Sequence, residues 1–192
     1  MPLLSPHEKF KHVAYYQYKD TVWLVFNKYN GIIDNIQDAI CREVFYMINK
    51  HSRVRTVLFN LHVNNYSNNN SIISKFMKSY IKRLERKYNT KIGFIWVREQ
   101  INSDKQHYHV AIFIDAKKCP NAWSTRTIAQ EVWQTIQKSG TISFVHNCLY
   151  SMFRNDMTSI QTVILRLSYY AKNYSKTLRA TTTKRFHTSN HT

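Results

Sequence analysis

Two runs rich in β-branched and aromatic residues, 91–99 and 107–115, flank a polar loop at 100–106, and this pattern limits the fold more than any other. It predicts an antiparallel hairpin. In a strand, residues two apart share a face, so Tyr108, Val110, Ile112 and Ile114 project one way and His107 and His109 the other. The apolar side is expected to pack on helices, leaving both imidazoles on an open face.

The neighbouring segments can be built around this hairpin. Residues 54–63 alternate as a strand, with Val57, Phe59, Leu61 and Val63 on one side and Leu58, Asn60 and His62 on the other. The Asn- and Ser-rich run 64–71 predicts a loop. Ile72, Ile73, Phe76, Met77, Tyr80, Ile81, Leu84 and Tyr88 then recur at helical spacing, while Lys75, Lys78, Lys82, Arg83, Arg86 and Lys87 take the other faces. Further on, 123–138 reads as helix, 141–148 as strand and 159–175 as helix. Upstream, 12–29 reads as a hairpin turning near Lys19 and Asp20, and 36–51 as a helix. The order β-α-β-β-α-β-α predicts an α+β fold, an antiparallel sheet with helices packed on one face, of the ferredoxin-like kind. The expected division is an N-terminal extension at 1–53, the main domain at 54–180 and a basic tail at 181–192.

A chain of 192 residues, 43% of them hydrophobic, has material for one core. Its 28 Lys and Arg against 11 Asp and Glu give a net +17, which favours a polyanionic partner, nucleic acid ahead of an anionic membrane. Only Gly31, Gly93 and Gly140 are glycines, so neither a Walker A loop nor a GxGxxG fingerprint can be written. Cys41, Cys119 and Cys148 are an odd number without C-x-x-C spacing, which argues against a disulfide framework and still more against a zinc ribbon. No apolar run approaches the ~20 residues of a membrane span, and the first residues lack a signal-peptide pattern. A cytoplasmic protein without a membrane partner is the expectation.

If Glu99 and His107 pair across the hairpin, the carboxylate lies across the ladder from the imidazoles, within reach of a shared cation. Two nitrogens and one oxygen leave coordination positions open, which suits Mg²⁺ or Mn²⁺ acting as a Lewis acid on a phosphate oxygen. In the last helix, Ile160, Val163, Ile164, Leu167, Tyr170, Ala171 and Tyr174 form one stripe. Tyr169 falls opposite, with Lys172 one turn on and Lys176 a turn further. Tyr170 is thus placed to pack and Tyr169 to react, with Tyr174 and Tyr170 as alternative nucleophiles. A phenol with a pKa of about 10 needs nearby positive charge to attack phosphorus, and Lys172 with a divalent ion could supply it.

An acidic residue ahead of His-hydrophobic-His, followed by Tyr-x-x-Lys on a later helix, resembles the HUH endonucleases. These include rolling-circle replication initiators, relaxases and single-strand transposases. Four strings sharpen the likeness: VLFNLH ending at His62, HYHVA starting at His107, RLSYYAK ending at Lys172 and KRFHTS starting at Lys184. They resemble filamentous-phage-type (inovirus) initiators grouped with YagK/YfjJ-like proteins, over roughly residues 54–189.

The resemblance implies that Glu99, His107 and His109 bind the metal and that Tyr169 becomes joined to a 5′ phosphate. Lys172 would orient or charge-balance that phosphate. The implied substrate is single-stranded or hairpin origin DNA in the bacterial cytoplasm or nucleoid, with a host helicase and polymerase as partners. Arg166, Lys176, Arg179, Lys184 and Arg185 are expected along the DNA backbone, with His62 and Asn60 as further DNA contacts. Two other functions fit the same residues: a non-catalytic nucleic-acid-binding protein, and a transposase or relaxase using the same chemistry.

Overall fold

In the computed structural model, which describes residues 4–28, 31–100, 105–173 and 183–191, the hairpin becomes the middle of a larger antiparallel sheet. Along the chain, β1 (Leu4–Pro6), β2 (Val13–Tyr18) and β3 (Thr21–Phe26) precede α1 (Asp34–Lys50). Then come β4 (Arg53–His62), α2 (Ser71–Tyr88), β5 (Gly93–Glu99), β6 (His107–Asp115) and α3 (Trp123–Ile136). The last elements are β7 (Thr141–Ser143), β8 (Leu149–Phe153), α4 (Met157–Ser168) and β9 (Phe186–Thr188).

The central sheet has six strands in the order β7-β4-β6-β5-β9, with β8 also on β4. β7 pairs with residues 60–62 of β4 and β8 with residues 53–57, so the segment expected as a strand at 141–148 is one only over its first three residues, and a second short strand, not expected, follows it at 149–153 on the same edge of β4. β6 lies between β4 and β5, and β4 lies between β6 and β8. These are two split β-α-β units, and the α+β class read from the sequence is the one the chain adopts.

α2 and α3 pack on the face that carries Val57, Phe59, Leu61, Trp96, Tyr108, Val110 and Ile112, with Phe76, Tyr80 and Trp133 filling the layer. Burying each such large side chain contributes roughly 1.5–3 kcal/mol. Tyr80 keeps its hydroxyl satisfied by donating to the Thr125 carbonyl at 3.0 Å.

The expectation of helices on one face holds for this pair alone. The opposite face, with Val54, Leu58, Ile95, Val97, Ala111 and Phe113, lies under α1 and α4. The physical reason is in β6 itself. Past His107 and His109, the same side of the strand continues as Ala111 and Phe113, so most of it is apolar and needs cover. α1 comes close to β5 at Gly93, where an added Cβ would lie 2.5 Å from a Glu43 carboxylate oxygen and 2.7 Å from Met47 Cγ.

Both chain ends join this body. Ala14, Tyr16, Trp23 and Val25 share the core with α1 and α4, although residues 1–53 read from the sequence as an extension. The Gln161 amide bonds to both Leu24 N and Leu24 O, at 2.9 and 2.8 Å, and so docks β3 on α4. In the segment expected as a tail, β9 pairs with β5, and Arg98 N donates to Arg185 O at 2.7 Å. Among the described residues no helix is long and apolar enough to cross a membrane.

Candidate metal centre

The ladder sets His109 opposite Asn60 on one side and Val97 on the other, and sets His107 between His62 and Glu99. Alternation then puts all the polar members of this set at one end of the α1–α4 face. Glu99, His107 and His109 each bring a ligand atom within 4.8 Å of the others, a group that could hold a metal ion. The face is not open as expected: Glu99 and His109 are buried, and the His107 side chain, 23% exposed, forms the solvent side of the group.

His109 is held from three directions. Its Nδ1 lies 2.7 Å from Asn60 Oδ1, its Nε2 lies 2.6 Å from Glu99 Oε2, and its ring stacks flat on Tyr170 at 4.9 Å and 15°. An amide oxygen only accepts, so Nδ1 carries the hydrogen and Nε2 is the nitrogen turned toward Glu99. A lone pair facing a carboxylate at that distance calls for a proton or a cation between them. The donor set therefore suits a cation on chemical grounds. His107 Nε2 is 4.0 Å from Glu99 Oε1, and the His107 and His109 rings stand nearly perpendicular at 5.0 Å.

Tyr169 and Lys172 reach this group because α4 ends sooner than its apolar stripe suggests. Asp156 caps its start, accepting from Thr158 N and Ser159 N at 3.0 and 3.2 Å. Instead of running to 175, the helix stops at Ser168, and Tyr169–Ala171 form a 3₁₀ turn. In that geometry side chains three apart eclipse one another, which puts Tyr169 and Lys172 side by side. The Lys172 ammonium donates to the Tyr169 hydroxyl at 2.6 Å and lies 3.0 Å from Glu99 Oε1. It also sits over the Tyr169 ring, 3.8 Å from the centroid.

The segment before α1 clamps this turn. Ile32 bridges to Lys172, Ile33 N donates to Ala171 O at 2.7 Å, and Asn173 N donates to Gly31 O at 3.0 Å. Gly31 has φ +88°, a conformation that favours glycine. Ser168 completes the hold, its Oγ accepting from Phe26 N at 2.7 Å. Sequence reasoning missed these clamp residues, and the isolated Gly31 was the one available signal.

Tyr169 is half-buried rather than solvent-facing, edge-on to His109 at 5.9 Å and to Phe26 at 5.5 Å. Tyr170 is turned away from nucleophilic use, its hydroxyl donating to the Val110 carbonyl at 3.3 Å. Burial pushes the Tyr170 phenol well above its ordinary range, and the charge of nearby Arg166 opposes this only in part. Tyr174, Lys176 and Arg179 lie outside the described residues.

Asn60, read as a DNA contact, is engaged with His109 instead. His62 stacks on His107 at 5.4 Å, with its Nε2 3.4 Å from Ser143 Oγ, and burial lowers its pKa below 6.5. Arg166 is partly exposed on α4, and Lys184 and Arg185 are exposed beside β9. Lys184 O accepts from Asn70 Nδ2 at 2.8 Å, tying this stretch to the loop before α2.

Fold and site together define an α+β domain whose sheet end carries a candidate metal group joined to a tyrosine–lysine pair. The sequence model described as the YagK/YfjJ C-terminal domain matches residues 21–189, and the chain belongs to that family. Its match begins at the first residue of β3 and takes in β9, so it covers Phe26 and the segment before α1 that clamp the site. No curated protein and no solved structure gives a match.

Proposed function

We propose that this protein is a HUH-type endonuclease that nicks single-stranded DNA at an origin, as the replication initiator of a rolling-circle element. One observation carries the reading: the Lys172 ammonium touches both the Tyr169 hydroxyl, at 2.6 Å, and the Glu99 carboxylate, at 3.0 Å. A candidate nucleophile is thereby one side chain away from a candidate metal ligand. The net charge of +17 supports a polyanionic substrate.

Glu99, His107 and His109 would hold the ion, and Mg²⁺ or Mn²⁺ when bound supplies Lewis acidity at a phosphate oxygen. Lys172 donates to the Tyr169 oxygen and so sets a positive charge beside the atom that would attack phosphorus. That oxygen attacks phosphorus, a tyrosine–phosphate bond forms, and the bond from phosphorus to the 3′ oxygen breaks. The phenol's proton leaves to solvent, and the leaving oxygen takes one up from solvent and ends as a 3′ hydroxyl. The 5′ phosphate stays on Tyr169. Because one phosphoester replaces another, the step reverses without a nucleotide, and the rate gain comes from positioning and charge. The 3′ hydroxyl would prime a host polymerase behind a host helicase.

Labelled single-stranded origin candidates, incubated with the protein and Mn²⁺ and run on a denaturing gel, test the proposal. A covalent adduct is expected that EDTA abolishes and that His107→Ala and His109→Ala lose. DNA binding with no adduct at any candidate, or an adduct indifferent to EDTA, would contradict it.

A further inference from the structure

Trp123, the first residue of α3, is 72% exposed, while Trp23, Trp96 and Trp133 are at most 3% exposed. A large ring left in water at a helix start has no role in the core. Beside it, the Arg126 guanidinium lies 5.8 Å from the Trp123 centroid and 4.3 Å from that of Phe144. Phe144 directly follows Ser143, whose hydroxyl is 3.4 Å from His62 Nε2, and His62 stacks on the metal-group residue His107 at 5.4 Å. Phe144 itself turns to the α2–α3 side, its ring 5.7 Å from that of Phe59, so the path from the metal centre to Trp123 crosses the β7 edge of the sheet from one face to the other at the chain step from Ser143 to Phe144.

We propose that Trp123 is a stacking platform for an unpaired nucleobase of the strand that enters the metal centre, with Arg126 engaging the adjoining phosphate. A flat exposed ring suits any base, since every base has a π face, and a guanidinium beside it matches a phosphate in charge and shape. Polar side chains hold the backbone beneath the ring: Asn121 Oδ1 accepts from Trp123 N at 3.2 Å, and Thr127 Oγ1 donates to Trp123 O at 3.3 Å. The inference rests on the reading of the substrate as single-stranded DNA, and it is independent of the nicking chemistry.

Intrinsic fluorescence of the full chain in Mg²⁺, titrated with an oligothymidylate and with a blunt duplex, tests it. Because the other three tryptophans are buried, the oligothymidylate should quench Trp123 emission and shield it from acrylamide, and the duplex should do so far less. Trp123→Phe should abolish most of the quench, and Trp123→Ala should weaken binding about tenfold. The exposure of the site lets both variants fold, which circular dichroism checks. An undiminished quench in Trp123→Phe, or unchanged affinity in Trp123→Ala, would overturn the proposal. So would a spectral shift set by protein concentration without DNA, which would assign the ring to contact between copies. Quenching without a covalent adduct would retire the nicking reading and leave this one standing; an adduct without quenching would do the reverse.

Discussion

Asn60 is the residue whose role changes most between sequence and structure. As one polar position in an alternating strand it reads as a DNA contact, yet its carbonyl fixes the tautomer of His109 from 2.7 Å. Groups that orient a metal-binding imidazole from behind typically change metal affinity by roughly 10–100-fold when removed. Asn60→Ala is therefore expected to weaken Mn²⁺ binding by at least about tenfold in isothermal titration calorimetry, and unchanged affinity would assign the contact to packing alone. The adjacent tyrosines were easier to separate. Helical periodicity sends Tyr170 inward and Tyr169 out of the stripe, and their hydroxyls do part, one to the Val110 carbonyl and one to Lys172. Periodicity could not show that the helix ends between Ser168 and Tyr169, because the cause is tertiary: the bridge of Lys172 to Ile32, some 140 residues away in sequence.

Among the elements, β4, β5, β6, α2 and α3 were legible within a few residues, since each is long and keeps one period. The helices α1 and α4 were also legible as helices, but their placement as a second layer was not, although β6 carried its signature in Ala111 and Phe113. Two leading histidines drew the whole face toward a polar reading. The junction of α1 with β6 allows a test of burial in this layer. His51, just past α1, has a side chain 12% exposed, Nδ1 lies 3.5 Å from Asp115 Oδ2, and its buried Nε2 lacks a hydrogen-bond partner. Burial lowers its pKa from 6.5, with Lys50 and Arg154 adding and Asp115 opposing. A histidine favoured as neutral in the folded state gives stability that is present above the unfolded pKa and lost as pH falls through the folded one. Urea unfolding should thus show stability declining below pH about 6.5, with a shallower decline in His51→Gln. Equal slopes would contradict the assignment.

At the scale of the molecule, the sheet is an armature with helices on both sides, and the candidate metal group, with Tyr169 and Lys172, is gathered at one end of it. Charge is spread more widely. If about six basic side chains contact single-stranded phosphates, log affinity should fall against log salt with a slope near −4, measured by fluorescence anisotropy. A flat response would remove the polyanion from the account. Tyr169 is the side chain proposed to become joined to DNA. Protease digestion of the Mn²⁺-dependent adduct, followed by mass spectrometry, should find the 5′ phosphate on the peptide carrying Tyr169, and Tyr169→Phe should yield none. A nucleotide mapped to any other side chain, or an adduct persisting in Tyr169→Phe, would contradict it.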